Sequence, residues 1–204
     1  MTRIKICGLT RPEDRQWANK LHPDYIGFVF APSRRRVTPH LAGEIAAGLD
    51  RQIKRVGVFV NPTRREITEV LQHCPLDILQ LHGEERPEFC TRLPLPVWKA
   101  FRIKTQQSLP MLGDYQVQGW LLDGYHHRQH GGMNQTFPWE WLKTLERGKT
   151  PVILAGGLNP DNVLAGISIV KPDAVDVSSG VETAGVKDAT KIEDLIRKVR
   201  SLDD

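Results

Sequence analysis

A chain of 204 residues is long enough for one well-buried core and short for two, so a single domain over residues 1–204 is expected. Hydrophobic residues at 40% and charged residues at 25% give an ordinary globular balance, and apolar runs such as Ile26 to Phe30 are far too short to span a bilayer. The formal charge of +4 does not point to nucleic acid, because the basic runs Arg34-Arg35-Arg36 and Arg64-Arg65 lack the interleaved aromatics on which bases stack.

The chain begins MTRIKICGLTRPED, entering a β-rich run at Ile4 to Cys7 without the apolar stretch of a secretory signal, so a cytoplasmic protein is expected. Cys7, Cys74 and Cys90 are irregularly spaced, fit neither a disulfide framework nor a metal site, and should all be reduced. Thr10 with Glu13 has the spacing of a capping box. Tyr25 to Phe30 is the second run; it leads through Arg34 to Arg36 into Thr38-Pro39, a capping residue followed by a first-turn proline. Val56 to Val60 is the third, followed by another capping-box pair, Thr63 with Glu66, and by Ile67, Val70, Leu71 and Cys74 at helical spacing. Ile78 to Leu81, Val97 to Phe101 and Trp120 to Leu122 continue the series.

The longest irregular stretch, Asp123 to Phe137, holds His126, His127 and His130, but no carboxylate pair or cysteine completes a ligand set, so no metal is expected there. Val152 to Leu154 leads into Ala155-Gly156-Gly157-Leu158-Asn159-Pro160, whose last pair again reads as a helix start. Ala174 to Val177 leads into Ser178-Ser179-Gly180-Val181, and Ile192, Leu195, Ile196 and Val199 mark a closing amphipathic helix. Eight strand-like runs, most of them separated by stretches with helical periodicity, imply parallel strands joined by crossover helices. The expected fold is α/β, a single (β/α)8 TIM barrel with short loops. An open doubly wound sheet is the alternative, but it usually has fewer strands and a glycine-rich first turn, which Gly8-Leu9-Thr10 does not supply.

In such a barrel the active site forms at the C-terminal ends of the strands. Polar residues ending the apolar runs are Cys7, the arginines after strand 2, His82, Asp123, Asp176, Ser178 and Ser179. Taken singly they have ordinary readings: Cys7 as a buried structural thiol, Asp123 as a loop cap. Their shared rim favours function. Lys5 is separated from Cys7 by one residue in the same run and so points to the same side. Gly156 and Gly157 after strand 7, with Ser179 and Gly180 after strand 8, form two loops where backbone amides can approach an anion, and barrels commonly hold phosphate there.

Lys5-Ile6-Cys7-Gly8-Leu9-Thr10, Gly27-Phe28-Val29-Phe30, Val56-Gly57-Val58-Phe59, Leu79-Gln80-Leu81-His82-Gly83, Leu121-Leu122-Asp123, Gly156-Gly157-Leu158-Asn159-Pro160 and Asp176-Val177-Ser178-Ser179-Gly180-Val181-Glu182 stand in this order along the chain. Together they resemble phosphoribosylanthranilate isomerase, from the first strand to the eighth. The resemblance implies an Amadori rearrangement of N-(5′-phosphoribosyl)anthranilate, a step of tryptophan biosynthesis, with Cys7 as general base and Asp123 as general acid. It also implies that an arginine before Val37-Thr38-Pro39 holds the anthranilate carboxylate. Arg35 matches that place, with Arg34 and Arg36 as adjacent alternatives. Gln80, His82 and Asp176 stand in the same motifs and are expected to bind substrate.

Ring opening needs an acid at the furanose oxygen and then a base at C2′, so no cofactor is expected; the resemblance implies a small phosphorylated substrate as partner, and a monomer or homodimer is expected. The family often has Gly-Gly-Ser/Thr-Gly after the strand-6 aspartate, where this chain reads Gly131-Gly132-Met133-Asn134. One alternative is the histidine-pathway aminoaldose isomerase. Its substrate carries two phosphates, and an early glycine-rich loop would be expected where Val60-Asn61-Pro62-Thr63 or His82-Gly83-Glu84-Glu85 stands. Another is a barrel that binds phosphate without catalysis.

Overall fold

Each strand-like run carries β-branched and aromatic residues with apolar side chains on both faces, as strands buried between a barrel interior and a helical layer require. In the computed structural model, which describes residues 1–124, 138–146 and 148–202, these runs form eight parallel strands closed into a barrel in sequence order. They are β1 (Arg3–Cys7), β2 (Tyr25–Val29), β3 (Lys54–Phe59), β4 (Ile78–Leu81), β5 (Val97–Ile103), β6 (Gly119–Gly124), β7 (Val152–Leu154) and β8 (Ala174–Val177). Closure comes from β8 against β1, with Arg3 opposite Ala174 and Ile6 opposite Val177.

Helices α1 (Asp14–Leu21), α2 (Pro39–Ala47), α3 (Arg64–His73), α4 (Pro87–Cys90), α5 (Val163–Val170) and α6 (Ala189–Arg200) pack outside. In α6 the spacing of Ile192, Leu195, Ile196 and Val199 buries one stripe, each side chain contributing roughly 1.5–3 kcal/mol. Thr38 accepts from the Leu41 amide to start α2, and Thr63 with Glu66 forms a complete capping box on α3. The expected box of Thr10 with Glu13 does not form. Buried Asp14, one residue further on, accepts from the Thr10 and Arg11 amides at 3.0 Å each, taking the role on a shorter side chain. Asn159 caps a turn instead of opening α5 directly: its Oδ1 accepts from Asp161 and Asn162, and the helix begins at Val163.

The sheet period sorts side chains into two shells. Ile4, Ile6, Ile26, Phe28, Leu79, Leu81, Trp120 and Leu122 face the helices in the larger cluster. Tyr25, Val56, Ile78, Trp98, Ala100, Leu121, Ile153, Ala155 and Ala174 form a separate cluster inside the barrel. Two residues along from Ile78, Leu121 and Ala174 come Gln80, Asp123 and Asp176, so the same alternation aims three polar groups into the C-terminal mouth.

At the opposite end the residue before every second strand stitches the preceding one. Asp24 accepts from the Ile4 amide, Asp77 from Arg55, Gln118 from Val97 and Asp173 from Val152, at 2.7–2.8 Å. These amides begin strands, where the ladder alone would leave them without an acceptor.

The crossovers after β5 and β6 differ from the helical ones. Among the described residues they are 3₁₀ turns, Gln106–Ser108 and Pro110–Asp114 in the first, Trp139–Thr144 in the second. Pro110 removes an amide and Gly113 weakens helical propensity, which suits tight turns better than α-helix. After β8 the chain makes a short turn, Ser179–Val181, then a hairpin of β9 (Glu182–Thr183) and β10 (Val186–Lys187) before α6. The histidines of 126–130 and the Gly131-Gly132-Met133-Asn134 departure lie outside the described residues. No helix among the described residues is long and apolar enough to cross a membrane.

Candidate active site

The C-terminal mouth holds a cavity of about 440 Å³ whose lining includes Cys7, Arg35, Gln80, His82, Asp123, Gly156, Gly157, Asp176 and Ser179. The expected site residues are thus gathered at one place, apart from Gly180. That glycine serves packing: a Cβ on it would stand 1.9 Å from the Leu158 carbonyl, so its absence lets the loops after β7 and β8 meet.

On the β1 and β8 side the mouth is lined by buried groups. Lys5 is fully buried and its Nζ donates to Asp176 Oδ2 at 2.8 Å. Burial works to lower the Lys5 pKa, but Asp176 and the Cys7 thiol outweigh it and the net direction is up, so the ammonium is kept. For Cys7, burial pushes the thiol above its ordinary range; Lys5 pulls it down, Asp176 pushes it further up, and Lys187 adds a weaker downward pull. Gly27 makes the space: a Cβ there would lie 2.7 Å from Cys7 Sγ and 3.2 Å from Lys5 Nζ. Ser178 donates its hydroxyl to the Cys7 carbonyl at 2.9 Å, tying β8 to the end of β1.

The β4 and β6 side is more exposed. Asp123 sits inside β6, rather than ending a strand at Leu122, and pairs in register with Arg102 of β5, another lining residue. Asp123 Oδ2 lies 3.2 Å from His82 Nε2, and His82 Nδ1 lies 3.2 Å from Gln80 Nε2. The Asp123 side chain keeps 26% exposure. A Cβ at Gly156 would come 2.7 Å from Asp123 Oδ1 and 2.4 Å from the Gly124 amide nitrogen, so glycine is needed for the β7 loop to reach the acid. Gly156 and Gly157 also have φ of 84° and 66°, left-handed values that favour glycine.

Of the three consecutive arginines only Arg35 lines this cavity. Its stem lies on Gly8, where an added Cβ would be 2.5 Å from Arg35 Cδ, and its Nε and Nη2 donate to the two oxygens of Glu182 at 2.6 and 2.9 Å. Arg34 is exposed but also donates to Glu182, whereas Arg36 borders a different cleft beside α2 and α3. Burial raises the Glu182 pKa, yet hydrogen bonds from Arg35 and Lys187 outweigh it and hold the carboxyl at about 2. Glu182, Lys187 and Arg102 were not singled out from the sequence as site residues. Glu182 and Lys187 are directly opposite each other in the β9–β10 register, and the Ala184-Gly185 turn that makes this hairpin has φ of 51° and 82°.

The mouth therefore places a buried thiol beside an ammonium, a carboxylate reachable from water, an arginine fork and two glycine loops around one small volume. A thiol and a carboxylate on strands 1 and 6 can act on two different atoms of one ligand. A model of the family described as "N-(5'phosphoribosyl)anthranilate (PRA) isomerase" matches residues 4–198. The N-(5'-phosphoribosyl)anthranilate isomerase of Acetivibrio thermocellus is 44% identical over 100% of this chain and 98% of its own length. Among solved structures, phosphoribosyl anthranilate isomerase from Thermotoga maritima superposes with a TM-score of 0.90 at 37% identity, covering 98% of this chain and 100% of that one. Another, phosphoribosyl anthranilate isomerase in complex with reduced 1-(o-carboxyphenylamino)-1-deoxyribulose 5-phosphate, has a TM-score of 0.85 at 35% identity, with the same coverage.

Proposed function

The chain belongs to the N-(5'-phosphoribosyl)anthranilate isomerase family, and we propose that it converts N-(5′-phosphoribosyl)anthranilate to 1-(2-carboxyphenylamino)-1-deoxyribulose 5-phosphate in tryptophan biosynthesis. The observation that carries this reading is that Cys7, Asp123, Arg35 and the two late glycine loops share one cavity of about 440 Å³. The loops at Gly156-Gly157 and Ser179 take the phosphate through backbone amides, and Arg35 takes the anthranilate carboxylate.

Asp123 gives its proton to the furanose oxygen as the C1′–O bond breaks, and the anthranilate nitrogen lone pair forms the C=N bond of a Schiff base. Cys7, as thiolate, then takes the C2′ proton; the C–H electrons become the C1′=C2′ double bond as the C=N π pair returns to nitrogen, and the enolamine tautomerises to the ketone by losing its C2′ hydroxyl proton and gaining a proton at C1′. Gln80 Oε1 and Asp176 Oδ1 are buried with no protein hydrogen-bond partner, and sugar hydroxyls are donors that would complete them.

A bisphosphate substrate fits less well. The Asn61 and Gly83 amides, which would have to cradle a second phosphate after β3 and β4, already donate to the Glu85 carboxylate at 2.7 and 3.0 Å. The proposed unit is one catalytic domain over residues 1–204, acting in the cytoplasm on a small phosphorylated substrate as a monomer or homodimer, without nucleic acid.

The test follows the fluorescence of freshly generated phosphoribosylanthranilate in the presence of a metal chelator. Loss of fluorescence that saturates with substrate, and that inorganic phosphate inhibits competitively, is expected. No turnover, or turnover only with added metal, would overturn the reading.

A further inference from the structure

Glu182 touches none of the groups assigned to chemistry, yet it is the most heavily engaged carboxylate at the mouth. Its side chain is 5% exposed and accepts from Arg35 Nε and Nη2, Arg34 Nη2 and Lys187 Nζ. We propose that Glu182 is a positioning residue that sets the Arg35 fork for a carboxylate-bearing substrate, and that with Lys187 it fixes the spacing between that fork and the phosphate loop. The proposal rests on the reading above, in which Arg35 meets the substrate carboxylate.

The geometry supports both halves. An arginine has five N–H donors in a planar fork, and Glu182 occupies the Nε–Nη2 edge, leaving the Nη1–Nη2 edge to a ligand. Gly8 beneath the Arg35 stem and Glu182 at its head hold the side chain at both ends, removing much of the rotamer freedom an unanchored arginine would lose on binding. Lys187 closes the second link: Nζ donates to Glu182 Oε1 at 2.7 Å and to the Ser178 carbonyl at 2.9 Å. Ser178 immediately precedes the Ser179-Gly180 loop, so one ammonium joins the carboxylate that aims Arg35 to the backbone that presents the phosphate amides. A substrate with a carboxylate and a phosphate at a fixed separation reads that distance; one with only the phosphate does not.

The test compares wild type and Glu182→Gln on two substrates, phosphoribosylanthranilate and the phosphoribosyl derivative of aniline, which lacks the carboxylate. Wild-type turnover of phosphoribosylanthranilate is the control for the functional reading itself; its failure overturns that reading independently of Glu182. For the variant, KM for phosphoribosylanthranilate should rise about 10- to 100-fold, the range for weakening a charged hydrogen-bonded contact, with kcat changed far less. kcat/KM for the aniline derivative should stay within about threefold of wild type, a discrimination that a general structural role would not produce. Equal losses on both substrates, or no loss on either, overturn the proposal. Should Glu182→Gln fail to fold because Lys187 is left buried and unpaired, Glu182→Gln with Lys187→Met removes both charges, and the same comparison decides.

Discussion

The two ends of this barrel use polar side chains in opposite ways. At the N-terminal end Asp24, Asp77, Gln118 and Asp173 each accept from the first amides of a neighbouring strand, so their oxygens work inside the fold. At the C-terminal end Gln80 Oε1 and Asp176 Oδ1 are buried without a protein donor, and Cys7 sits in burial that disfavours its charged form. An orphaned buried acceptor costs about 1–3 kcal/mol. The four stitches at the base are satisfied while the mouth keeps two unmet acceptors, and the buried Arg55 Nε is left without a partner at the base; one end mainly stabilises and the other waits for ligand. Within the mouth the same contrast recurs on a smaller scale. Cys7 is buried while the Asp123 side chain keeps 26% exposure, so the two groups proposed for proton transfer differ in their access to solvent.

The largest effect that would break this division lies in the pair at the mouth. Asp123→Asn keeps shape and removes the proton, and Cys7→Ser keeps geometry but leaves a hydroxyl too weakly acidic to serve. Each should lower kcat/KM about 10²–10⁴-fold with little change in Tm, because neither opens a large cavity or buries a new charge. Near wild-type kcat/KM in either folded variant would remove that residue from its assigned role.

The reverse pattern is expected at the other end. Asp173→Ala removes the acceptor of the Val152 amide at 2.8 Å and should cost about 1–3 kcal/mol, lowering Tm by about 2–4 °C for each kcal/mol in a domain of this size. kcat/KM at 25 °C should stay within about twofold. A loss of activity without a loss of stability would show that the two ends are not separable. Gln118→Ala, which frees the Val97 amide, should behave the same way and serves as an independent second stitch.

How much of this was legible beforehand depends on the range of the interaction. The eight strands were readable because short β-rich runs at intervals encode them, and Cys7, Asp123, Arg35, Gln80, His82 and Asp176 all line the mouth at the strand ends. The shared direction of Lys5 and Cys7 was equally local. That Lys5 turns inward to meet Asp176, 171 positions away, is a fact of barrel closure that no local pattern carries. Glu182 escaped for the same reason, its arginine partner lying 147 positions upstream. The crossover after β5 carries 3₁₀ turns where Pro110 and Gly113 are visible breakers in the sequence. The unformed Thr10–Glu13 box shows the limit of a spacing rule where Asp14 competes for the same amides.

The finest distinction concerns the three thiols, which are all buried but not alike. Cys74 and Cys90 are pushed by burial to about 12 and about 11 and do not line the mouth cavity, whereas Cys7 does. Iodoacetamide reacts with the thiolate, so native protein should be labelled at Cys7 alone, with Cys74 and Cys90 silent until denaturation. Because the Cys7 pKa is raised above its ordinary value, the thiol is protonated at neutral pH, and each unit of pH below that pKa changes the thiolate fraction tenfold. Labelling should therefore accelerate steadily from pH 6 to pH 8, and kcat/KM should climb over the same interval if Cys7 is the base. A labelling rate flat across that interval would mean that Lys5 and Lys187 outweigh burial and that the thiolate is already formed. Mass spectrometry of tryptic peptides after short exposure separates Cys7 from Cys74 and Cys90, which share one peptide because Arg86 precedes Pro87, and reads the slope at Cys7 directly.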